Sequence, residues 1–272
     1  MEKTTFDFGY GPVPAHQHAN GGGWVAETAY VADTAFVGSE ARVYEEARVC
    51  DNAQVCDNAR VCGEAWVCGN VQVYGNARVC GNVQVYGNAQ VYGNAQVCGE
   101  ARVHGNARVY GEARVCYNAR VCGEAWVCDN ARVCDNARVC DNAQVCDNAR
   151  VYGEARVCGN VQVYGNARVY GNVQVYGNAR VCGNAQVYGE ARVYGEAQVT
   201  TTPLVISGLE YVVTVCDNQV QIGCKTVPAT TQLSADLFPD ETCPVLRACA
   251  RTLIPLIQGH YARAAQVEVC RD

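Results

Sequence analysis

The feature that most constrains this chain is a valine at every sixth position from Val25 to Val199, without an exception. The residue two places before each of these valines is nearly always alanine, and in a few repeats it is another valine: Val71, Val83, Val161 and Val173. Because six is a multiple of two, both apolar residues of a repeat point to the same side of a short strand. In an α-helix, a period of six would scatter the valines around the axis, so the pattern favours strands.

The residues between one short strand and the next predict a bend in every repeat. They are mostly glycine or aspartate followed by asparagine or glutamate, as in Gly81 and Asn82, and glycine and asparagine tolerate a positive φ. Three repeats then make one triangular coil of about 18 residues, and coils stack about 4.8 Å apart. We therefore expect about ten coils in a prism roughly 45–50 Å long.

The predicted fold is all-β: a single-stranded parallel β-helix, or triangular β-solenoid, over residues 25–199, with an N-terminal capping segment over 1–24 and a small α+β cap over 200–272. Caps are needed because a stack of coils leaves its core open at both ends. At the start of the chain, the side chains expected to cover the core are Phe6, Phe8, Tyr10 and Trp24.

The pattern changes after Thr200, where the sequence predicts a different kind of structure. Short strands are expected over 204–208, 210–216 and 219–224, with a hairpin turn at Asp217 and Asn218. A helix is expected from Cys243 to Ala264, kinked or interrupted at Pro255. This segment is expected to plug the far end of the solenoid and to offer a surface for a specific partner.

A coil of this length places residues 18 apart in one column, and the outward residue before each valine then defines three faces. The first face carries Arg42, Arg60, Arg78, Gln96, Arg114, Arg132, Arg150, Arg168 and Gln186. The second face carries Arg48, Trp66, Gln84, Arg102, Arg120, Arg138, Arg156, Gln174 and Arg192. The third face carries Gln54, Gln72, Gln90, Arg108, Trp126, Gln144, Gln162, Arg180 and Gln198. Two faces are therefore rich in arginine and one is rich in glutamine.

These faces allow more than one interpretation. Stacked arginines repel each other, and acidic corner residues such as Asp129 and Asp135 are expected to offset them in a solvated surface. The alternative is a face that binds nucleotides, nucleic acid or another anion, because guanidinium groups beside aromatic rings suit phosphates and bases. Its candidate residues are Arg114, Arg132, Arg150, Arg168, Tyr152 and Tyr170. The glutamine-rich face lacks repelling charge and is the candidate for self-association into a dimer or trimer.

Most of the 19 cysteines follow a repeat valine and therefore stack in ladders. The longest ladder contains Cys62, Cys80, Cys98, Cys116 and Cys134. Three interpretations stay open: half-exposed strand residues without chemistry, disulfide staples between neighbouring coils, or thiolates that hold a soft metal such as zinc or copper(I). A flat ladder does not supply the tetrahedron that zinc prefers. A second weak metal candidate is the pair His16 and His18, two residues apart in the capping segment.

The repeat resembles the hexapeptide of left-handed parallel β-helix proteins, the superfamily that includes UDP-N-acetylglucosamine acyltransferase. Val79, Asn82 and Val83 match its aliphatic, corner and small positions, although this chain has cysteine or tyrosine directly after the aliphatic residue. The run 107–113 and the opening segments 6–9 and 16–23 also resemble hexapeptide-repeat transferases of bacteria and their phages.

This resemblance implies a left-handed solenoid and, as an alternative function, a CoA-dependent acyltransferase that uses acetyl-CoA. The resemblance implies a trimer with active sites between neighbouring prisms, and a histidine that activates the acceptor. His104 is the one histidine inside the repeats, so it is the only candidate for that role. The unbroken valine period leaves no loop within the solenoid that would shape a pocket.

Composition limits the remaining choices. The net charge of −6 gives no overall attraction to nucleic acid, and no apolar run is long enough for a membrane span. The opening residues do not resemble a signal peptide, and together with the 19 cysteines this favours a cytoplasmic location. We therefore predict a non-catalytic structural or binding protein without a cofactor. It would be a rigid scaffold that engages a protein or an anionic ligand through its faces or its C-terminal cap.

Overall fold

The computed structural model describes residues 4–207, 212–222, 225–229, 255 and 257–261. Within them the chain winds into a parallel β-solenoid whose strands form three sheets along the faces of a prism. Each strand pairs with the strand 18 residues later, as Val79 pairs with Val97 and Val97 with Val115. The predicted fold class, coil length and arrangement of the three columns are thereby confirmed.

The bounds of the strands follow the hexapeptide. The first face is a sheet of 12 strands: Thr5–Asp7, Pro12–Gln17, Trp24–Ala26, Arg42–Val43, Arg60–Cys62, Arg78–Gly81, Gln96–Gly99, Arg114–Val115, Arg132–Val133, Arg150–Gly153, Arg168–Gly171 and Gln186–Val187. The second face has ten: Tyr30–Val31, Arg48–Val49, Trp66–Gly69, Gln84–Gly87, Arg102–Gly105, Arg120–Val121, Arg138–Val139, Arg156–Val157, Gln174–Val175 and Arg192–Val193. The third face also has ten: Phe36–Val37, Gln54–Val55, Gln72–Val73, Gln90–Val91, Arg108–Val109, Trp126–Val127, Gln144–Val145, Gln162–Val163, Arg180–Val181 and Gln198–Val199.

The core of the prism consists of the repeat valines and the small residues two places before them. From Val37 to Val199 every repeat valine is 0% exposed, and burial of one valine side chain stabilises a fold by about 1.5–3 kcal/mol. Backbone hydrogen bonds tie the coils together, since the Arg78 amide donates to the Ala95 carbonyl at 2.9 Å. Many small side chains in register therefore take the place of a bulky centre.

Corners complete each repeat in the way that the turn residues predict. From Glu45 to Gly195 the residue two places after each repeat valine has a positive φ, as at Gly63 with φ 72° and Asp135 with φ 61°. Asparagines that follow these residues stack and bond to each other, so the Asn70 amide donates to Asn88 Oδ1 at 3.2 Å. Such asparagine ladders add side-chain hydrogen bonds to those of the backbone.

The N-terminal segment extends the first sheet instead of lying over the open core. Strand Pro12–Gln17 pairs antiparallel with Trp24–Ala26 and so covers the edge of the first coil. The expected aromatic lid over the Val/Ala core is wrong. Phe6 stacks on Trp24 at 4.5 Å and lies under the Arg42 guanidinium, and Phe8 stacks on Tyr44 at 5.0 Å. The aromatic rings therefore pack on outward-pointing side chains of the first face, because Trp24 and Tyr44 occupy outward positions of their strands.

After the solenoid, the chain forms an antiparallel sheet of four strands: Leu204–Ile206, Val213–Val215, Gln219–Ile222 and Lys225–Pro228. The predicted hairpin at Asp217 and Asn218 is confirmed, because the two flanking strands pair antiparallel. Pro255 and residues 257–261 are helical, and the rest of the helix predicted from Cys243 to Ala264 lies outside the described residues. No helix in the described part of the chain is both long and apolar enough to span a membrane.

This sheet closes the last coil with side chains that replace the missing next coil. The Arg192 amide donates to Thr214 Oγ1 at 3.1 Å, and the Gln198 amide donates to Asn218 Oδ1 at 2.8 Å. Cys216 is fully buried and joins the Val/Ala core. The expected plug at this end is therefore present, and it satisfies amides that would otherwise point to water at an open sheet edge.

Candidate anion-binding surface

Two unbroken runs of arginine lie side by side on the prism. The first-face ladder contains Arg114, Arg132, Arg150 and Arg168, which are paired in successive strands. The second-face ladder contains Arg102, Arg120, Arg138 and Arg156, paired in the same way. All eight side chains are exposed. The two ladders lie on adjacent faces, separated by one corner that carries Asp135 and Glu154.

The repeat itself places these side chains. Each arginine directly precedes a buried valine, and successive residues of a strand point to opposite sides, so the guanidinium must point outward. Cys140 and Cys158 lie two places after Arg138 and Arg156 on the second face, and their Cα atoms are 4.7 Å apart. This distance is the spacing between neighbouring rungs. Like charges at this separation are well within the Debye length of about 8 Å at physiological ionic strength, so neighbouring arginines repel.

Corner carboxylates do not neutralise the ladders by direct pairing. Asp135 Oδ2 accepts the Gly153 amide at 3.0 Å, and Asp141 Oδ2 accepts the Gly159 amide at 3.1 Å. In the part of the chain that the structure describes, the one ion pair joins His16 to Glu27. The expectation that acidic corners offset the arginines therefore holds only at longer range, because the aspartate oxygens are bonded to backbone amides of the next coil.

The second-face ladder borders a shallow groove of about 270 Å³. Its lining is entirely polar and consists of Asn82, Gln84, Glu100, Arg102, Asn118, Arg120, Asn136 and Arg138. The groove lies between the second-face ladder and the corner residues that precede it, and Glu100 contributes a carboxylate to its lining. Sequence reasoning placed these four second-face arginines in their column but did not select them as a site. The signal was available, since they form a run as long as that of the first face.

The tyrosines beside the first-face ladder stack on each other. Tyr152 and Tyr170 stack with their ring centroids 5.2 Å apart and their planes at 4°, and Tyr170 and Tyr188 stack at 5.5 Å. The Tyr170 ring is thus covered on both faces by its neighbours. The rung spacing favours stacking of the rings on each other, and the use of Tyr152 and Tyr170 as a platform for bases stays a prediction.

His104 occupies the position after Val103 on the second face. Its ring stacks on Tyr86 with a centroid distance of 4.7 Å. Burial lowers the pKa of His104, and the positive charges of Arg120 and Arg102 lower it further. A neutral imidazole is the form that a general base needs. The acyltransferase alternative nevertheless rests on the family resemblance, and it stays a prediction.

The two histidines of the capping segment are held by different partners. His16 Nδ1 lies 2.9 Å from Glu27 Oε1 at the surface, whereas His18 is buried with Nε2 3.0 Å from the Ala35 carbonyl. The strand ends at Gln17, so the spacing of two does not present both rings to one ligand. The structure does not bring these predicted metal ligands together.

Of the three interpretations of the cysteine ladders, disulfide staples apply to part of them. Three pairs of neighbours are disulfide-bonded: Cys62 with Cys80, Cys128 with Cys146, and Cys140 with Cys158. Cys62 and Cys80 are thus not available as thiolate ligands, whereas Cys98, Cys116 and Cys134 are free. Two groups of three metal-ligating side chains occur in the described residues, Cys128, Asp129 and Cys146, and Cys140, Asp141 and Cys158. Both contain a disulfide, so their sulfurs are not thiolates either.

Comparison with models of protein families agrees with the solenoid architecture. A family model described as the YdcK beta solenoid repeat matches the chain in eight segments: 53–69, 71–87, 83–99, 95–111, 143–159, 161–177, 173–186 and 185–200. No curated protein matches the chain. Among solved structures, UDP-N-acetylglucosamine acyltransferase of Francisella novicida matches with a TM-score of 0.38 and 13% sequence identity. That match covers 63% of this chain and 66% of the enzyme, a little under two thirds of its length.

Together, the repeat and the stacked coils define the class by architecture: this chain is a β-solenoid repeat protein. More particularly, the matched segments between residues 53 and 200 are similar to the YdcK beta solenoid repeat.

Proposed function

We propose that this protein is a non-catalytic binding protein whose solenoid is a rigid scaffold and whose two arginine ladders bind a linear polyanion. The observation that carries the proposal is the pair of parallel ladders, eight exposed arginines without a carboxylate partner among the described residues. Guanidinium groups bind phosphate and carboxylate oxygens in a planar fork. A ligand with a negative charge on each unit would relieve the repulsion between rungs.

A straight ladder suits an extended ligand better than a compact one. The coils repeat at nearly constant spacing, so each added unit of a polymer meets the same environment as the unit before it. Since the tyrosine rings stack on each other, the ligand would be held by its charges and not by stacked bases. Binding would then be independent of sequence and strongly dependent on salt.

The test measures binding of a fluorescently labelled oligothymidylate by anisotropy over a range of salt concentrations. We expect affinity at low salt, with each engaged phosphate adding a slope of about −0.7 to log K against log salt. Changing Arg114, Arg132, Arg150 and Arg168 together to glutamine should weaken binding about tenfold or more. Glutamine is the matched replacement, because Gln96 and Gln186 occupy the same column.

The control is Arg180→Gln, which removes an exposed arginine from the glutamine-rich third face. It should leave the affinity and the salt slope unchanged. A set of changes at Arg102, Arg120, Arg138 and Arg156 shows whether the second face contributes equally. No binding at low salt, or the same loss for each arginine regardless of its face, would refute the proposal.

Self-association through the third face stays a prediction. Its glutamines already bond along their own column, as Gln90 Nε2 donates to Gln72 Oε1 at 3.1 Å. Arg108 lies over the Trp126 ring at 5.3 Å, so its charge is also engaged within the face.

A further inference from the structure

The first face carries a column of five consecutive cysteines beside its arginines. Strand pairing joins Cys62 to Cys80 and Cys80 to Cys98 in register. The column continues through Cys116 and Cys134, because the valines directly before Cys98, Cys116 and Cys134 also pair in register. Tyrosines end it on both sides, with Tyr44 before Cys62 and Tyr152 after Cys134. Each of these sulfurs thus has cysteine neighbours within its own column.

The column is partly oxidised in a definite pattern. Cys62 and Cys80 form a disulfide with their Cα atoms 4.6 Å apart, while Cys98, Cys116 and Cys134 are free and half-buried. The same strand spacing brings every adjacent pair of these residues into the range of a disulfide. Because five is odd, the fully oxidised column would hold two disulfides and one thiol.

The three free thiols are linked to each other. Strand register places the Cys98 thiol beside that of Cys116, and the Cys116 thiol beside that of Cys134. Hydrogen bonding to Cys134 raises the pKa of the Cys116 thiol to about 11, while the bond from Cys116 lowers the pKa of Cys134. The end of the row, Cys134, is therefore the thiol that forms a thiolate most readily, and thiolates are the attacking species in disulfide exchange.

We propose that this column is a thiol–disulfide exchange site. Cys134 and Cys116 reduce small-molecule disulfides, and Cys98 then rearranges the disulfides within the column. The Cys134 thiolate attacks one sulfur of an external disulfide, whose other sulfur leaves as a thiolate. Cys116 next attacks the Cys134 sulfur, forms the Cys116–Cys134 disulfide and releases the second external thiol. The two cysteines lose two electrons, and one disulfide becomes two thiols, so no other reactant is required.

After this step Cys98 lies between two disulfides. Its thiolate can attack the Cys80 sulfur, which forms Cys80–Cys98 and releases Cys62, without any net oxidation. The attack on Cys116 is the mirror of this reaction and releases Cys134. The thiol thereby moves along the column, and the end cysteine becomes available again.

The arginines of the chain make the experiment direct, because trypsin separates the cysteines. Cys116 falls on peptide 115–120 and Cys134 on 133–138, whereas Cys80 and Cys98 share peptide 79–102. Cys62 shares peptide 61–78 with Cys68, so fragmentation of that peptide assigns the alkylated residue. The protein is treated with oxidised glutathione, alkylated at acidic pH, digested and analysed by mass spectrometry. We expect a new link between peptides 115–120 and 133–138, with release of reduced glutathione. We also expect a fraction in which Cys62 is alkylated and peptide 79–102 carries an internal disulfide.

Two serine variants separate the steps. Cys98→Ser should still form the Cys116–Cys134 link but should never show alkylated Cys62. Cys182→Ser is the matched control on the third face, where the neighbours in the column are Tyr164 and Thr200, and it should behave as the unaltered protein. Failure to form the Cys116–Cys134 link would overturn the reduction step. Alkylated Cys62 in the Cys98→Ser variant would overturn the exchange step.

Discussion

Two stretches of the solenoid turn their corners in different ways. From Gly63 to Gly111 every corner position is glycine, with φ between 69° and 100°. From Asp129 to Asp147 every corner position is aspartate, with φ between 56° and 61°. We refer to these as the glycine stretch and the aspartate stretch. The aspartates remain within or near the left-handed region that an L-residue tolerates, whereas several of the glycines go beyond it.

The difference in φ accompanies a difference in bonding. In the glycine stretch, strands such as Arg78–Gly81 and Gln84–Gly87 continue into the corner, and a Cβ at Gly81 would lie 2.9 Å from the Gly99 carbonyl oxygen. In the aspartate stretch, strands such as Arg132–Val133 end at the valine, and Asp135 bonds the Gly153 amide. One repeat thus stacks its corners either by close backbone approach or by a side-chain hydrogen bond.

The largest effect is expected from Gly81→Ala. With φ at 100° and the Gly99 carbonyl oxygen 2.9 Å from the new Cβ, this change should lower the free energy of unfolding by about 2–4 kcal/mol. Chemical denaturation measures the loss. The matched control is Gly195→Ala in the last coil, where φ is 64° and no atom lies within 4 Å, and it should cost about 1–2 kcal/mol. Equal losses at both sites would show that close approach does not distinguish the glycine stretch.

A smaller effect is expected from Asp135→Ala in the aspartate stretch. The Gly153 amide would lose its acceptor, and a hydrogen bond of this kind contributes about 0.5–1.5 kcal/mol, with the lower end expected for this exposed site. Hydrogen exchange should report faster exchange of the Gly153 amide. Asp135→Asn keeps an acceptor oxygen and should preserve most of the protection. If both variants exchange alike, the carboxylate is not what stacks these corners.

The smallest effect on the free energy of unfolding is expected from a change of pH, and it should come from His104 in the glycine stretch. Burial lowers the pKa of His104 in the folded state, so the unfolded chain, with a pKa of about 6.5, binds more protons. The contribution of His104 to stability is therefore fully present above pH 6.5 and is lost as the pH falls. Denaturation midpoints compared at pH 7 and pH 5 should show a larger drop for the protein than for His104→Tyr. Tyrosine is the natural alternative in that position and keeps the stack on Tyr86, and an equal drop in both would contradict the expectation.

The arginines and the tyrosines of the candidate site differ in how well the sequence predicts them. The columns of arginine were predictable because each residue directly before a valine must point outward, and strand pairing confirms every one of them, as for Arg150 with Arg168. The use of Tyr152 and Tyr170 was not predictable from their positions alone. Whether two rings stack on each other or receive a ligand depends on their rotamers and distance, which the repeat does not specify.

By itself, the sequence determined the solenoid, its coil length, its thin core and the residues in each column. The physical reason is that a period of six acts on the backbone in every repeat, and a shift by one residue would move all the valines to the outside. Only the tertiary structure decided which neighbours in a column join. Cys80 lies between Cys62 and Cys98 and is bonded to Cys62, and Asp135 lies near two arginine columns and bonds a backbone amide. Such choices depend on competition between partners a few ångströms apart, and equivalent repeats do not distinguish those partners.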